Sequence, residues 1–202
     1  TSPDSPESRV RAALACHPET RALASGPLEA VEGGLSNHAW FARSGADGYF
    51  VRLGGRHASS FGIDRVAECR LLESVADAGI APRAVICDPA RDLLVTERVP
   101  GRAWTRADVL LPDNLMRLGA LLRSLHAIAP QAGWPQVSFT SQARRLEERL
   151  AALGVQDREL RAHADEAERA LAERPAVATA CHNDLHHLNI VDDGGRLWLV
   201  DW

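Results

Sequence analysis

Ionisable and amide side chains gather in residues 180–202, which read ACHNDLHHLNIVDDGGRLWLVDW. His182, Asp184 and Asn189 precede a short apolar run, and Asp201 follows a second apolar run. The DDGG turn between the runs predicts a β-hairpin, since Asp-Gly pairs form tight turns between strands. A hairpin brings the residue before its first strand near the residue after its second, so we expect Asn189 and Asp201 to meet.

The types of these side chains suit phosphoryl transfer. Mg²⁺ binds through one or two carboxylates plus substrate phosphates, and this chemistry assigns Asn189 and Asp201 to the metal. A carboxylate free of the metal can accept a proton from a substrate hydroxyl, which is the role predicted for Asp184. Asp192 and Asp193 are interpreted as turn residues, because aspartates commonly bond their own backbone in turns.

Two other readings of this segment stay open. His182, Asp184, His186 and His187 could ligate zinc, as in a metal-dependent hydrolase. The residues upstream supply no further His or Asp cluster of the kind that such a hydrolase needs. Alternatively, the chain could bind nucleotide without turnover.

Hydrophobic periodicity predicts the elements that must position these groups. The first hundred residues read as strands with one inserted helix, in which Asp64 caps the helix start and Gly79 with Pro82 marks its end. After Pro100-Gly101 the pattern becomes helical, rich in Leu, Ala, Arg and Glu. The predicted elements are helix 7–16, strand 28–34, hairpin 37–55, helix 62–82, strand pair 83–101, and helices 113–128, 141–153 and 157–173.

Composition limits the class of protein. The chain has 202 residues, and its formal charge of -4 disfavours nucleic-acid binding. No apolar run reaches the length of a membrane span. The first ten residues lack the basic-then-apolar pattern of a secretion signal. We therefore predict a cytoplasmic protein that has neither nucleic acid nor membrane as a partner.

The cysteines form no CxxC pair. We interpret all four as free thiols in a reducing compartment, because a chain of this length can build a core without disulfides. Cys69 and Cys87 lie among apolar residues and are predicted to fill the core. The other two are Cys16 and Cys181.

An ordered set of motifs resembles aminoglycoside phosphotransferase-like and choline kinase-like enzymes. HNDLHHLN followed by LWLVDW is similar to their catalytic and metal-binding segments, and GIDRVAE to a helix start of bacterial choline kinase-like proteins. EGGLSNHAWFA resembles the phosphate-covering hairpin, and GYFVRLGG the nucleotide-contacting strand. LLVTERVPGRAW resembles the hinge between the lobes, and LGALLRSLHA the first long helix of the second lobe.

The resemblance implies an α+β, two-lobed, protein-kinase-like fold. Residues 1–99 would form a small antiparallel-sheet N-terminal lobe that binds nucleotide. Residues 100–202 would form the first part of a mainly helical C-terminal lobe that carries the catalytic hairpin. The implied cofactors are ATP and Mg²⁺. The resemblance makes Asp184 the catalytic base or the group that orients the substrate hydroxyl, assigns Asn189 and Asp201 to the metal, and makes His182 a brace for the catalytic loop.

Other residues are expected to hold the nucleotide. Arg52 lies where many kinases of this fold carry a lysine, and we expect it to contact phosphate and to pair with Glu68. Its strand neighbours Val51 and Leu53 would point to the opposite face. The alternative is an exposed Arg and a solvated Glu. The backbone groups expected to contact ATP are those of Gly33, Gly34 and Ser36 for phosphate and of Glu97 to Val99 for adenine.

GIDRVAE and LVDW resemble choline kinase-like enzymes more than antibiotic-modifying ones. The expected reaction is therefore ATP-dependent phosphorylation of a small hydroxylated amine, choline or ethanolamine first, with thiamine or an aminoglycoside as alternatives. In the family, the rest of the second lobe follows the position of Trp202 and supplies much of the acceptor wall. We therefore expect a chain truncated at its C-terminus, and the sequence leaves the acceptor and the oligomeric state open.

Overall fold

A computed structural model describes most of the chain, in six ranges. The chain divides into two compact units, one of Thr1–Trp134 with Ala180–Trp202 and one of Pro135–Thr179. The predicted boundary between residues 1–99 and 100–202 stays a prediction. The described ranges are 4–31, 37–55, 64–135, 138–155, 157–173 and 178–202.

A five-stranded antiparallel sheet carries the N-terminal half of the first unit, with the strand order β1-β2-β3-β5-β4. Gly45 at φ 61° turns the chain between β2 and β3, a conformation that glycine adopts without steric cost. The predicted strand 28–34 is confirmed over residues 28–31, and its last three positions lie outside the described residues. The two predicted strand pairs are confirmed. The strands are β1 (Leu28–Val31), β2 (Asn37–Ser44), β3 (Asp47–Gly54), β4 (Ala84–Asp88) and β5 (Leu93–Glu97).

Helices cover this sheet. The predicted first helix is confirmed as α1 (Pro6–Ala15), which packs with the short α2 (Arg21–Ser25) on a core that includes Trp40 and Val51. The inserted helix is α3 (Arg65–Asp77). Its predicted cap is also confirmed.

The cap of α3 has the expected geometry. The Asp64 side chain accepts from the amides of Val66 and Ala67, each at 3.0 Å, which satisfies two donors that the helix start leaves unpaired. Gly79 at φ 73° follows the helix end. These two features fix where α3 starts and where the chain leaves it.

The catalytic hairpin belongs to a second, three-stranded sheet. Its strands β6 (Arg102–Ala103), β7 (Ile190–Asp192) and β8 (Leu197–Leu199) lie in that order. Helix α4 (Pro112–His126) packs against the same core, which contains Leu125 and residues of both sheets. The predicted hairpin and the predicted leucine-rich helix are confirmed, and in the described ranges the two sheets share no strand.

The second unit is a pair of helices, α5 (Phe139–Ala152) and α6 (Arg158–Ala172). Both were predicted from the sequence. Arg144 and Glu168 join them through an ion pair of 2.7 Å. Across the described residues, none of the helices combines the length and the apolar composition that a membrane crossing requires.

One prediction about the cysteines is wrong. Cys69 and Cys87 form a disulfide with their Cα atoms 5.9 Å apart, whereas Cys16 and Cys181 are free. The packing of α3 on β4 brings the two residues within bonding range, and a separation of 18 residues does not reveal this. The argument for a reducing compartment loses its support, and the cytoplasmic location stays a prediction.

Opening this disulfide should destabilise the first unit. Replacing both Cys69 and Cys87 by serine should lower the free energy of unfolding by about 2 to 4 kcal/mol, because the bond restricts the unfolded chain. Urea unfolding measures the change, and Cys16→Ser, at an exposed free thiol, is the matched control. A thiol titration of denatured, unreduced protein should find two free thiols per chain, and four would contradict the bond.

Candidate active site

His182 contacts the end of the hairpin through its ring. Its Nε2 donates to the Val200 carbonyl at 2.9 Å, so this nitrogen carries the proton, and its ring lies 4.7 Å from the Trp202 ring. The residue is buried. Its position agrees with the bracing role, which remains an expectation from the resemblance.

Asn189 connects the catalytic loop to the strand that precedes Asp201. Its amide Nδ2 donates to the Asp184 carbonyl at 3.0 Å, and its own carbonyl accepts from the Val200 amide at 3.0 Å. Asp201 is therefore one residue beyond the direct partner of Asn189. The expected meeting of the two hairpin ends is confirmed at the backbone.

The Asp184 carboxylate faces solvent beside His186. Its side chain is 74% exposed, and Oδ2 lies 3.8 Å from His186 Nε2. A carboxylate that is exposed to solvent can contact the hydroxyl of a substrate that binds from solution. This placement suits a proton acceptor.

Two residues of the site hold a left-handed backbone. Asn183 has φ 62° and Asp201 has φ 61°, in a region that costs most residues about 1 to 2 kcal/mol and that Asn and Asp visit most readily. Such conformations persist where the surroundings determine them, often at functional sites. In this chain they set the direction of the backbone after His182 and at the end of the hairpin.

Arg52 joins the sheet, α3 and the hairpin. It forms the expected ion pair with Glu68, and only 5% of Arg52 and 6% of Glu68 is exposed. The other terminal nitrogen, Nη1, donates to the Trp202 carbonyl at 3.2 Å and lies 3.5 Å from Asp201 Oδ1. The reading of Arg52 and Glu68 as separately solvated side chains is therefore wrong.

The predicted adenine-binding backbone lies at the end of β5. The Glu97 amide already donates to the Arg83 carbonyl at 3.0 Å, and the Arg98 amide to the Gly48 carbonyl at 2.9 Å. Two of the predicted backbone amides, those of Glu97 and Arg98, are therefore engaged within the protein. The predicted phosphate-binding residues Gly33, Gly34 and Ser36 lie outside the described residues.

Sequence reasoning missed the anchor of the hairpin. Asp192 was assigned to the turn, and it does accept from the Gly194 amide at 3.0 Å. It also accepts two bonds from Arg117 on α4, at 2.6 and 2.8 Å, and one from Trp104 Nε1 at 3.4 Å. The available signal was an arginine close to the core-facing leucines of α4, Leu118, Leu121, Leu122 and Leu125, since a cation next to a buried face needs a carboxylate.

Asp193 is a turn residue, as predicted. Its Oδ1 accepts from the Gly195 and Arg196 amides, each at 2.8 Å, and its Oδ2 from Trp198 Nε1 at 2.8 Å. The tight DDGG turn thus depends on both aspartates. Asp193 stabilises the turn itself, and Asp192 also attaches it to α4.

The donor set of Asn189 and Asp201 fits a magnesium ion. The Nδ2 of Asn189 donates to the Asp184 carbonyl, which leaves the amide oxygen as the atom that can bind a cation. Asp201 directly follows Val200, the backbone partner of Asn189, and its carboxylate is half-exposed. Both are oxygen ligands of the kind that Mg²⁺ prefers. In the ranges described, no group of three or more His, Cys, Asp or Glu side chains is placed to hold a metal.

One cavity lies within the second unit, among its described residues. It measures about 440 Å³ and lies between α5 and α6, with a mainly charged lining that includes Arg144, Glu148 and Asp165. None of the predicted site residues lines it. We place the candidate active site at the catalytic hairpin, where the functional groups converge.

A family model decides between the readings of this geometry. The model of the phosphotransferase enzyme family matches residues 27–202, which include all the site residues named above. The chain belongs to this family. Membership of this family replaces the metal-dependent hydrolase as the interpretation of the histidine-rich loop. No curated protein gives a significant match to the chain.

Solved structures that are similar to this chain share its kinase-like fold. A choline/ethanolamine kinase family protein from Mesorhizobium loti has 27% sequence identity and a TM-score of 0.73, covering 96% of this chain and 64% of its own. An aminoglycoside-3'-phosphotransferase of type VIII has 27% identity and a TM-score of 0.63, covering 96% and 75%. The predicted fold class is confirmed.

A third similar structure holds a nucleotide. It is choline kinase LicA, an enzyme of Streptococcus pneumoniae, in complex with AMP. Its identity is 21% and its TM-score 0.69, and the match covers 87% of this chain and 61% of that one. The chain therefore spans less than two thirds of the length of the Mesorhizobium loti protein and of LicA, 64% and 61% respectively.

The Asp192 anchor should make the stability of the hairpin depend on pH. The hydrogen bonds from Arg117 hold the pKa of Asp192 well below its usual range, against the effect of burial, with help from the Gly194 amide and Trp104. A lowered pKa adds stability that is complete above the unfolded-state pKa and is lost as the pH falls.

Asp192→Asn should therefore lower the free energy of unfolding by about 1 to 2 kcal/mol at pH 7, a value reduced for the partial exposure of Arg117. The difference from the unmodified protein should shrink as the pH falls below about 4. Urea unfolding at several pH values measures both quantities. Asp113→Asn, at an exposed carboxylate of α4, is the control, and a pH-independent difference would contradict the anchor.

Proposed function

We propose that this phosphotransferase transfers the γ-phosphoryl group of ATP to a hydroxyl of a small amine, with choline or ethanolamine as the first candidates. The observation that carries the proposal is the convergence at the hairpin. The Asn189–Val200 backbone bond places Asp201 beside the catalytic loop, and Arg52 lies 3.5 Å from Asp201 while paired with Glu68.

The chemical step needs few groups from the protein. The acceptor oxygen attacks the γ-phosphorus, the bond from phosphorus to the β,γ-bridging oxygen breaks, and ADP leaves. Asp184 takes the proton of the acceptor hydroxyl. Arg52 stabilises the negative charge of the triphosphate, and its pair with Glu68 fixes its direction. Mg²⁺, held by Asn189 and Asp201, would neutralise charge that develops on the phosphate oxygens.

Two similarities to choline kinase-like proteins support the choice of acceptor. GIDRVAE and LVDW resemble choline kinase-like segments, and the similar structure from Mesorhizobium loti is described as a choline/ethanolamine kinase family protein. An aminoglycoside is the second candidate, since the type VIII aminoglycoside-3'-phosphotransferase is equally identical in sequence. Thiamine is a third candidate, and nucleotide binding without turnover is the non-catalytic alternative.

An ADP-release assay tests the reaction, with choline, ethanolamine, thiamine and aminoglycosides as acceptors. The longest natural polypeptide that contains these residues should be used. Acceptor-stimulated ADP release with choline or ethanolamine is the expected result. Asp184→Asn should lower turnover by about 10² to 10⁴-fold, because it removes the proton acceptor, while the Kd for ATP stays the same.

Asp113→Asn, at an exposed carboxylate outside the site, is the matched control and should keep full turnover. Bound ATP without release of ADP for any acceptor would favour the non-catalytic alternative. Full activity of Asp184→Asn would remove the proposed proton acceptor.

The metal role of Asp201 can be tested without turnover. ATP should bind the unmodified protein more tightly with Mg²⁺ than with a chelator, because the ion links Asn189 and Asp201 to the phosphates. Asp201→Asn should lose most of this difference, as measured by isothermal titration calorimetry. An unchanged Mg²⁺ effect in this variant, with Asp113→Asn as the reference, would assign the metal to other residues.

A further inference from the structure

Arg65, the first residue of α3, contacts three separate parts of the chain. Its guanidinium donates to Glu68 Oε2 at 2.9 Å, to Asp92 Oδ1 at 2.5 Å and to Asn37 Oδ1 at 3.0 Å. Only 13% of its side chain is exposed. We call Arg65 with Glu68, Asp92 and Asn37 the Arg65 cluster. None of the catalytic roles described above falls to Arg65.

The Arg65 cluster divides the Glu68 carboxylate between two arginines. Arg65 occupies Oε2, and Arg52 Nη2 occupies Oε1. An arginine and a carboxylate that meet alone tend to form two parallel bonds. Because Arg65 holds the second oxygen, Arg52 bonds Glu68 through one nitrogen and directs the other, Nη1, toward Trp202 and Asp201.

Asp92 holds Arg65 from the opposite side. Asp92 has a left-handed backbone at φ 56°, and its carbonyl accepts from the Gly54 amide at 2.9 Å. A Cβ at Gly54 would overlap the Asp92 carboxylate. Glycine at the end of β3 therefore makes room for the carboxylate that Arg65 requires, two residues after Arg52 on the same strand.

The neighbours of Arg65 favour its charged form. Burial opposes its charged form, but the charges and hydrogen bonds of Glu68 and Asp92 outweigh burial and raise the Arg65 pKa above its usual value. Arg65 also reaches Asn37, the first residue of β2. Asn37 directly follows Ser36 in the sequence, one of the residues predicted to bind phosphate.

We propose that Arg65 is a positioning residue for nucleotide binding: by holding Glu68 Oε2 and Asp92, it keeps Arg52 directed at the Asp201 end of the hairpin. This inference rests on the proposed function, because it concerns the same triphosphate site. Arg65 does not touch the nucleotide in this scheme. It acts through Glu68 and Arg52.

Arg65→Lys tests the proposal with little loss of packing. A lysine keeps the charge, but its single ammonium group cannot reproduce the planar fork that serves three partners. The Kd for Mg²⁺-ATP, from isothermal titration calorimetry, should rise about tenfold, because a misdirected Arg52 loses about one charged hydrogen bond to the triphosphate. Arg70→Lys, at an exposed position of the same helix, is the matched control and should bind ATP as the unmodified protein does.

A double-mutant cycle separates positioning from a general structural role. If Arg65 acts through Glu68, the double variant Arg65→Lys/Glu68→Gln should bind ATP no more weakly than Glu68→Gln alone. Additive effects on the Kd would overturn the proposal. In steady-state assays, Arg65→Lys should raise KM for ATP more than it lowers kcat, whereas partial unfolding would lower the apparent kcat at constant KM.

Gly54→Ala is an independent variant that leaves every charge in place. Its methyl group should displace the Asp92 carboxylate from Arg65. The Kd for ATP should therefore rise, as it should in Arg65→Lys. Circular dichroism confirms that each variant is folded. If the variants are folded and bind ATP with an unchanged Kd, the positioning role of Arg65 is overturned while the proposed function stands. If the unmodified protein does not bind ATP, the proposed function is overturned.

Discussion

The buried carboxylate of Glu68 is the interaction on which the site depends. It bonds two arginines, Arg52 from the sheet and Arg65 from its own helix. A buried charge is costly unless it is paired and hydrogen-bonded, so these residues have to be arranged together. That requirement ties the register of β3 to the position of α3. Because Arg52 also reaches Trp202 and Asp201, it extends to the hairpin more than a hundred positions away in the sequence.

The hairpin itself is placed by a second charged contact. Asp192 accepts two bonds from Arg117 on α4, while the apolar side chains of β7 and β8 enter the core shared with α3 and α4. Apolar burial supplies attraction without direction, whereas the paired bonds between Asp192 and Arg117 fix an orientation. Together they set where Asn189 and Asp201 lie. The left-handed backbone at Asn183 and Asp201 then adjusts the local direction of the chain.

Much of this fold could be predicted from local patterns. The Asp64 cap, the hairpin of β2 and β3 and the helix α4 are each encoded within a short segment, and all three were predicted. The meeting of Asn189 and Asp201 was also predictable, since a tight turn sets the pairing of its own strands. The bond between Cys69 and Cys87 was not, because it depends on how α3 packs against β4.

The sequence by itself determined the chemical groups available to this chain: a histidine, two carboxylates and an amide at the ends of one hairpin, preceded by a strand arginine and a helix glutamate. Their spacing is local, and local spacing is preserved in any fold that keeps the elements. Only the tertiary structure decided how the charges pair. Arg52 turns one nitrogen to Asp201 because Arg65 occupies the other Glu68 oxygen, and Arg65 is held there by Asp92, which fits because β3 ends in Gly54. Such pairings depend on distances of a few ångströms between distant segments, and those distances exist only once the elements have packed.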